Sequence, residues 1–237
     1  MNLTNSQLKT HNSHLTTHNL QLFPYLCSMS DIYKKYFPHL TERQSRQLSE
    51  MEELFKEVNK KVNVVSRQDI ENISVNHILH SLAIAKYLSF SPGSLVIDLG
   101  TGGGLPGLPL AVLFPEVRFH LIDRIGKKIN AAKEIAEKLG LENVSFQHGD
   151  MGECKEKADF IVSRAVTDHP SLIKISRKNI SKESRNALPN GLITLKGGDI
   201  SGELGKYSSI SEIIAISSYF EEPFFATKKI VYTPIPV

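Results

Sequence analysis

The chain has 237 residues, 41% of them hydrophobic and 22% charged, with 28 Lys and Arg against 25 Asp and Glu for a net charge of +3. This is enough for one domain with an accessory element, and no run reaches the ~20 apolar residues that a membrane helix needs. Cys27 and Cys154 match no metal-ligand or redox spacing and read as unpaired thiols of a cytoplasmic protein, while the mild basic excess admits a nucleic-acid partner without requiring one.

Residues 1–30 contain one lysine, no acid, and many Asn, Thr, Ser and His. That composition buries too little apolar surface to offset the entropy of ordering, so a disordered polar tail is expected, or an untranslated segment ahead of Met29. Residues 31–93 read as a helical cap. Thr41 and Gln44 fit a capping box, and Leu48, Met51, Leu54, Phe55 and Val58 form one apolar stripe at helical spacing. A second stripe runs from Ile70 through Ile73, His77, Ile78, Leu82 and Ala85 to Leu88, and Ser91-Pro92-Gly93 breaks the chain.

From Ser94 onward, short apolar strands alternate with helices: "SLVIDL", a helix over 106–114, "VRFHLID", a helix over 126–139, "NVSFQHGD", "ADFIVSRA", a polar helical stretch over 168–187, and "GLITLKGG". The pattern implies an α/β fold with a parallel sheet covered on both faces. Two strand-like runs then follow, "ISEIIAISSYF" and "FFATKKIVYTPI", separated by Glu221-Glu222-Pro223, which predicts an antiparallel hairpin at the sheet edge.

The first strand-to-helix turn is the place for a ligand in an open α/β sheet. Gly100, Gly102, Gly103 and Gly104 strip Cβ atoms from that turn, and Pro106 fits the first turn of the helix after it. Gly102-x-Gly104-x-x-Gly107 formally matches a dinucleotide fingerprint. Asp98 favours S-adenosylmethionine (SAM) instead, because SAM brings an ammonium and a sulfonium to this place and a carboxylate suits both. Asp123 ends the second strand, where a carboxylate accepts from ribose hydroxyls, and NAD remains the alternative ligand. Asp150 closes the third strand, beside which an adenine ring fits.

Elimination narrows the methyl transfer. Carbon-5 methylation of a pyrimidine needs a cysteine nucleophile, and Cys154 sits in the polar connection "GECKEK". Exocyclic-amine methylation commonly uses an Asn- or Asp-Pro-Pro-aromatic loop, and the chain has no Pro-Pro pair. A ring nitrogen such as guanine N7 attacks through its own lone pair, so alignment and electrostatics suffice. Arg164 and Lys196 end the fourth and fifth strands, placed for cofactor, phosphate or base edge, or else for an ordinary surface ion pair. Residues 174–185 hold Lys174, Arg177, Lys178, Lys182 and Arg185, whose spacing predicts one basic helical face for phosphates or for solvent.

With "DLGTGGGLPGLPL", "LID", "VSRA" and "LKGG", preceded by "NVVSRQD" and "HILHSL", the chain resembles the bacterial 16S rRNA guanine-N7 methyltransferases, the glucose-inhibited division protein B family, from about residue 31 to the C-terminus. The resemblance implies a Rossmann-like SAM-dependent methyltransferase domain over 94–237 that acts, without metal or membrane, as a monomer on 16S rRNA or the 30S subunit in its decoding region. It implies cofactor contacts at Gly100, Leu105 and the main chain of Met151-Gly152, and places Arg164 near the reacting centre. Asn63, Ser66, Arg67, His77 and Ser81 match a segment bordering the same pocket, and Lys196 helps hold RNA or order the site. Many members carry Asp where this chain has His80, Arg at Asn76 and Pro at Gly103. A SAM enzyme acting on a small molecule, and a SAM-binding RNA-associated protein without turnover, are the alternatives.

Overall fold

A computed structural model describes residues 32–164, 166–200 and 202–237. The tail expected over 1–30, with Cys27, lies outside the described residues, as does Ala165 of the Ser163-Arg164-Ala165 motif. The strands are β1 Leu95–Leu99, β2 Arg118–Asp123, β3 Val144–His148, β4 Phe160–Arg164, β5 Gly191–Gly197, β6 Glu212–Ala215 and β7 Lys228–Pro234. They form one Rossmann-like sheet in the order β3-β2-β1-β4-β5-β7-β6. β3 through β5 are parallel, and β7 runs antiparallel to both its neighbours. All five residues of β1 are buried because helices cover both faces of the sheet.

Alternation of side chains along each strand divides the core in two. On one face Val96, Phe119, Leu121, Phe160, Val162, Ile193, Leu195, Ile230 and Tyr232 meet the N-terminal helices. On the other, Leu95, Ile97, Leu99, Ile161 and Leu192 meet Leu172 and Ile173. The first face is covered by α1 (residues 32–36), α2 Glu42–Asn59, α3 His80–Tyr87, α4 Gly107–Leu113 and α5 Gly126–Lys138, and the second by α6 His169–Ser176.

The capping box is present: Gln44 N donates to Thr41 Oγ1 at 3.2 Å, and Thr41 N donates to the Gln44 side chain at 2.9 Å. Leu48, Met51, Phe55 and Val58 of the stripe are buried, with Leu54 half-buried. Three expectations need correction. The second stripe is not one regular helix: it runs as a 3-10 turn over Ile70–Asn72, a π-helical turn over Ser74–Leu79, and then α3. The 168–187 stretch is helical only to Ser176, followed by a 3-10 turn over Arg177–Asn179. Asn179 pulls the chain out of the helix by donating to the carbonyls of Cys154 and Glu156, both at 2.9 Å. Lys182 and Arg185 therefore sit in a loop, and Arg185 Nε is paired with Asp159 at 3.1 Å. Finally, the C-terminal antiparallel pair is joined by residues 216–227, which coil as two 3-10 turns, and β7 inserts between β5 and β6.

Candidate functional site

β1 delivers Asp98 to the carboxyl end of the sheet, fully buried. Its Oδ2 accepts from Thr101 Oγ1 at 2.6 Å and from the Gly107 amide at 2.8 Å, while its buried Oδ1 has no partner. Burial raises the carboxyl from its ordinary 3.8 to about 7, against the pull of those two donors and of Arg164. The side chain thus staples the glycine turn to α4 with one oxygen and leaves the other free.

The turn itself has the conformation its glycines suggest. Gly100 has φ +71° and Gly102 φ +58°, a region L side chains rarely adopt, and the space off Gly102 is open for 4 Å. Pro106 stands one residue ahead of α4, at its N-cap, rather than inside the helix. Leu105 is buried in the core, so only its main chain faces the turn. Two side chains from flanking loops rest on the glycines: a Cβ on Gly100 would meet Val166 Cγ2 at 2.3 Å, and one on Gly103 would meet Val64 Cβ at 2.7 Å.

Asp123, the last residue of β2, holds the far side of the turn. Its Oδ2 accepts from Gly102 N and its Oδ1 from Ile125 N, both at 2.8 Å. Asp150 lies two residues beyond β3, not within it, where it accepts from Gly152 N at 2.7 Å and pairs with Arg124. These contacts, the backbone amide first, hold its carboxyl below the ordinary range. Met151 is buried, and Gly152 is exposed next to it.

Arg164 shares the helical-cap face with Asp98, since both alternate with core residues of that face. Burial pulls its guanidinium down to about 10, opposed by Asp98 and Asp69. Across from it stand His77 and His80. Burial, then the Arg164 charge, depresses His77 to about 4, and the same two causes in the same order depress His80. Both imidazoles are neutral at physiological pH. Asp69, which sequence reasoning did not single out, accepts from Ser66 Oγ at 2.7 Å and from Asn76 Nδ2 at 3.3 Å on the same side. Asn63, Ser66 and Arg67 are exposed around that loop, and Ser81 Oγ is turned back to the His77 carbonyl at 2.7 Å.

Lys196 is not where the sequence reading placed it. It alternates with Leu195 and so projects to the α6 face, where Nζ pairs with Glu203 at 2.6 Å and donates to the Thr167 carbonyl at 2.9 Å. Glu203, absent from the sequence reading, also accepts from His169 N at 2.9 Å. Lys196 therefore anchors the loop that follows Arg164. Lys174, Arg177 and Lys178 lie apart from the glycine turn, on and just after α6, although Lys178 Nζ reaches the carbonyl of Gly152. Lys157, Arg177, Lys178 and Lys182 line a concavity of about 380 Å³. A second of about 390 Å³ lies between the start of α2 and the ends of α4 and α5.

A free buried carboxylate oxygen, an open glycine turn and a carboxylate at the end of β2 fit the ammonium, main chain and ribose of SAM. Comparison with known proteins is consistent with that fit. A family profile described as rRNA small subunit methyltransferase G (GidB) matches residues 44–197. The ribosomal RNA small subunit methyltransferase G of Bacteroides thetaiotaomicron is 53% identical over 205 residues, covering 86% of this chain and all of that one. The protein of the same name from Parabacteroides distasonis is 51% identical over 217 residues, 92% of this chain and 94% of its own. Among solved structures, a SAM-dependent methyltransferase from Aquifex aeolicus superposes with a TM-score of 0.50 at 16% identity, over 65% of this chain and 89% of that one. The likeness in that case is one of fold.

Proposed function

The chain belongs to the rRNA small subunit methyltransferase G family, and from that premise we propose that it methylates N7 of one guanine in 16S ribosomal RNA, with SAM as methyl donor. The observation that carries the reading is a cleft whose titratable groups are poorly suited to abstract a proton. Its two imidazoles hold protons only weakly because burial and then the Arg164 charge depress them, its guanidinium is a cation, and its buried carboxylate has its free oxygen under the glycine turn. N7 needs no base, because its lone pair takes the methyl and no proton leaves that nitrogen.

When bound, SAM supplies an electrophilic methyl on a sulfonium. The chain's own part is positioning. Asp98 Oδ1 would receive the ammonium, the main chain of Gly100, Gly102, Gly104 and Leu105 would hold the donor, and Asp123 would accept from the ribose hydroxyls. Exposed Ile125 and the Met151-Gly152 turn would hold the adenine, with Asp150 fixing that turn. Arg164 approaches the reacting centre and holds electron-rich atoms of the substrate. Lys196 is a positioning residue acting through Thr167.

RNA meets two surfaces: the exposed loop of Asn63, Ser66 and Arg67 beside the site, and, farther off, the basic concavity of Arg177 and Lys178 with neighbouring Lys174. Both offer phosphate contacts, whose affinity falls with added salt. The same proposal takes residues 31–93 as the cap and 94–237 as the methyltransferase domain, and the protein as a cytoplasmic monomer acting on the decoding region of the 30S subunit.

The test is transfer of labelled methyl from SAM to 16S rRNA, naked and in 30S particles, isolated from cells lacking the gene, followed by mass-spectrometric mapping. One labelled guanine is expected. Absence of label on guanine in either form refutes the function.

A further inference from the structure

Around the site, four buried polar atoms of described residues lack a hydrogen-bond partner: Asp98 Oδ1, His77 Nδ1 and Nε2, and His80 Nε2. Buried side-chain polar atoms are nearly always paired. The proposed cofactor ammonium accounts for the first. It leaves the imidazole atoms unexplained.

The sheet determines what faces them. Lys228 alternates with Ile230 and Tyr232, both in the core on the cap side, so it shares that face with Asp98 and Arg164. In the β5–β7 register it lies opposite Gly197, and a Cβ there would stand only 3.2 Å from Lys228 Nζ. The ammonium hangs 4.5 Å from the centroid of the Phe224 ring, and Phe224 meets His80 edge-on at 5.5 Å. The charges of Lys228 and Arg164 both act on His77 and His80. Among the described residues neither cation has a carboxylate within ion-pair distance. Two cations without an ion-pair partner among the described residues and two imidazoles with free nitrogens thus come together from the cap, from β4 and from β7.

Resting on the functional reading above, we infer that His77, His80 and Lys228 form the receiving pocket for the target nucleotide: the imidazoles bind the edge of the guanine, and Lys228 binds the adjoining phosphate. A neutral imidazole offers one N–H and one lone pair. Guanine presents O6 as acceptor and its N1 and N2 hydrogens as donors along its Watson–Crick edge, which can be held without covering N7. His77, with both ring nitrogens free, offers an N–H and a lone pair, and His80, whose other nitrogen is tied to the Asn76 backbone, adds the lone pair of Nε2, so together they match both kinds of group and leave N7 uncovered for attack. Protonated, they would donate only, and the flanking cations oppose that protonation. Lys228 feels the charge of Asp69 but, among the described residues, has no carboxylate within ion-pair distance, which leaves its ammonium available to a phosphate.

The experiment uses the full chain, 16S rRNA or 30S particles from cells lacking the gene, and labelled SAM. Lys228→Gln keeps the aliphatic stem over Phe224 and removes the charge. It is expected to bind SAM within twofold of wild type, raise half-saturation by RNA about tenfold, and flatten the slope of log affinity against log salt by about 0.7–1, the signature of one lost phosphate contact. His77→Leu is expected to lose about tenfold or more in kcat/KM, as for loss of a base-edge contact, and to lose any preference for guanosine over inosine at the target. If His77→Leu does not fold, Lys228→Gln decides. A wild-type salt slope and RNA affinity in Lys228→Gln, or undiminished kcat/KM in a folded His77→Leu, overturns the pocket alone. Wild-type protein that labels no ribosomal RNA overturns the functional reading, and the pocket with it.

Discussion

Replacing Asp98 by Asn separates the cost of this site to the fold from its use. In the folded chain burial lifts the Asp98 carboxyl to about 7 from its ordinary 3.8. At about 1.4 kcal/mol per pH unit, that interval is worth about 4 kcal/mol. The sign follows from which state holds the proton. Below pH 3.8 both states are protonated and Asp98 costs nothing; between there and about 7 only the unfolded chain ionises, so stability falls as pH rises; above about 7 the loss is complete. Asn keeps an acceptor for Thr101 and Gly107 but leaves its own amide hydrogens without a partner, a loss of about 1–3 kcal/mol. The net gain at pH 8 is about 2 kcal/mol, which raises the melting temperature by about 4–8 °C for a chain of this size. SAM binding should move the other way, since the carboxylate that meets the ammonium is gone. Wild-type affinity, measured by titration calorimetry, should drop up to about tenfold for each pH unit below 7, whereas the variant's weak affinity stays flat. A variant that melts below wild type at pH 8, or that binds SAM as wild type does, refutes the reasoning.

Gly107→Ala should reverse the usual gain of Ala over Gly in a helix. The new Cβ would sit 2.8 Å from both Asp98 Oδ2 and Leu121 Cδ1, so we expect a loss of about 1–3 kcal/mol in chemical denaturation together with weaker SAM binding; a more stable variant would contradict the packing. Arg164→Ala should leave folding intact, because the guanidinium has no carboxylate within ion-pair distance, while methyl transfer falls roughly a hundredfold, the scale of a lost electrostatic contact to the reacting centre. Wild-type turnover in that variant removes Arg164 from the site. The same substitution takes away a charge that lowers the Asp98 carboxyl, so the pH midpoint for SAM binding should shift upward.

The local parts of this design are written in local sequence. The glycine turn, the apolar β1, the carboxylates of β1 and β2 and the Thr41–Gln44 capping box each depend on residues within a few positions of one another, and each stands in the structure as read. What escaped depends on distant chain. Lys196 looked like a pocket cation because it ends a strand as Arg164 does, but the register pairs Arg164 with Leu195 and turns Lys196 to the other face. Lys228 was not singled out, and it comes to lie beside β5 only because β7 inserts there. The basic run from Lys174 was read through as one helix, and Asn179, tied to the carbonyls of Cys154 and Glu156, interrupts it. One signal was available and unused: strict alternation in "ATKKIVYTPI" already puts Lys228 in phase with the core residues Ile230 and Tyr232.

Asp98 poses the sharpest alternative to a site that works by positioning, because a carboxyl near 7 with a free oxygen is also what a general base should look like. Its setting argues otherwise. Oδ2 is committed to the amide of Gly107 and the hydroxyl of Thr101, which ties the group beneath the glycine turn. A group so placed can meet the donor's ammonium and is poorly placed to reach an acceptor nucleotide. The two roles leave different traces in one measurement. A base must be ionised during transfer, so kcat at saturating SAM would climb through about pH 7. An anchor is titrated before transfer, so the same pH dependence belongs to SAM affinity and vanishes from kcat once SAM saturates. The imidazoles of the cleft fit the second pattern: burial first, then the charge of Arg164, with that of Lys228 added, holds them neutral and disfavours any proton arriving there. A cleft arranged to keep protons out suits a nucleophile that carries its own lone pair.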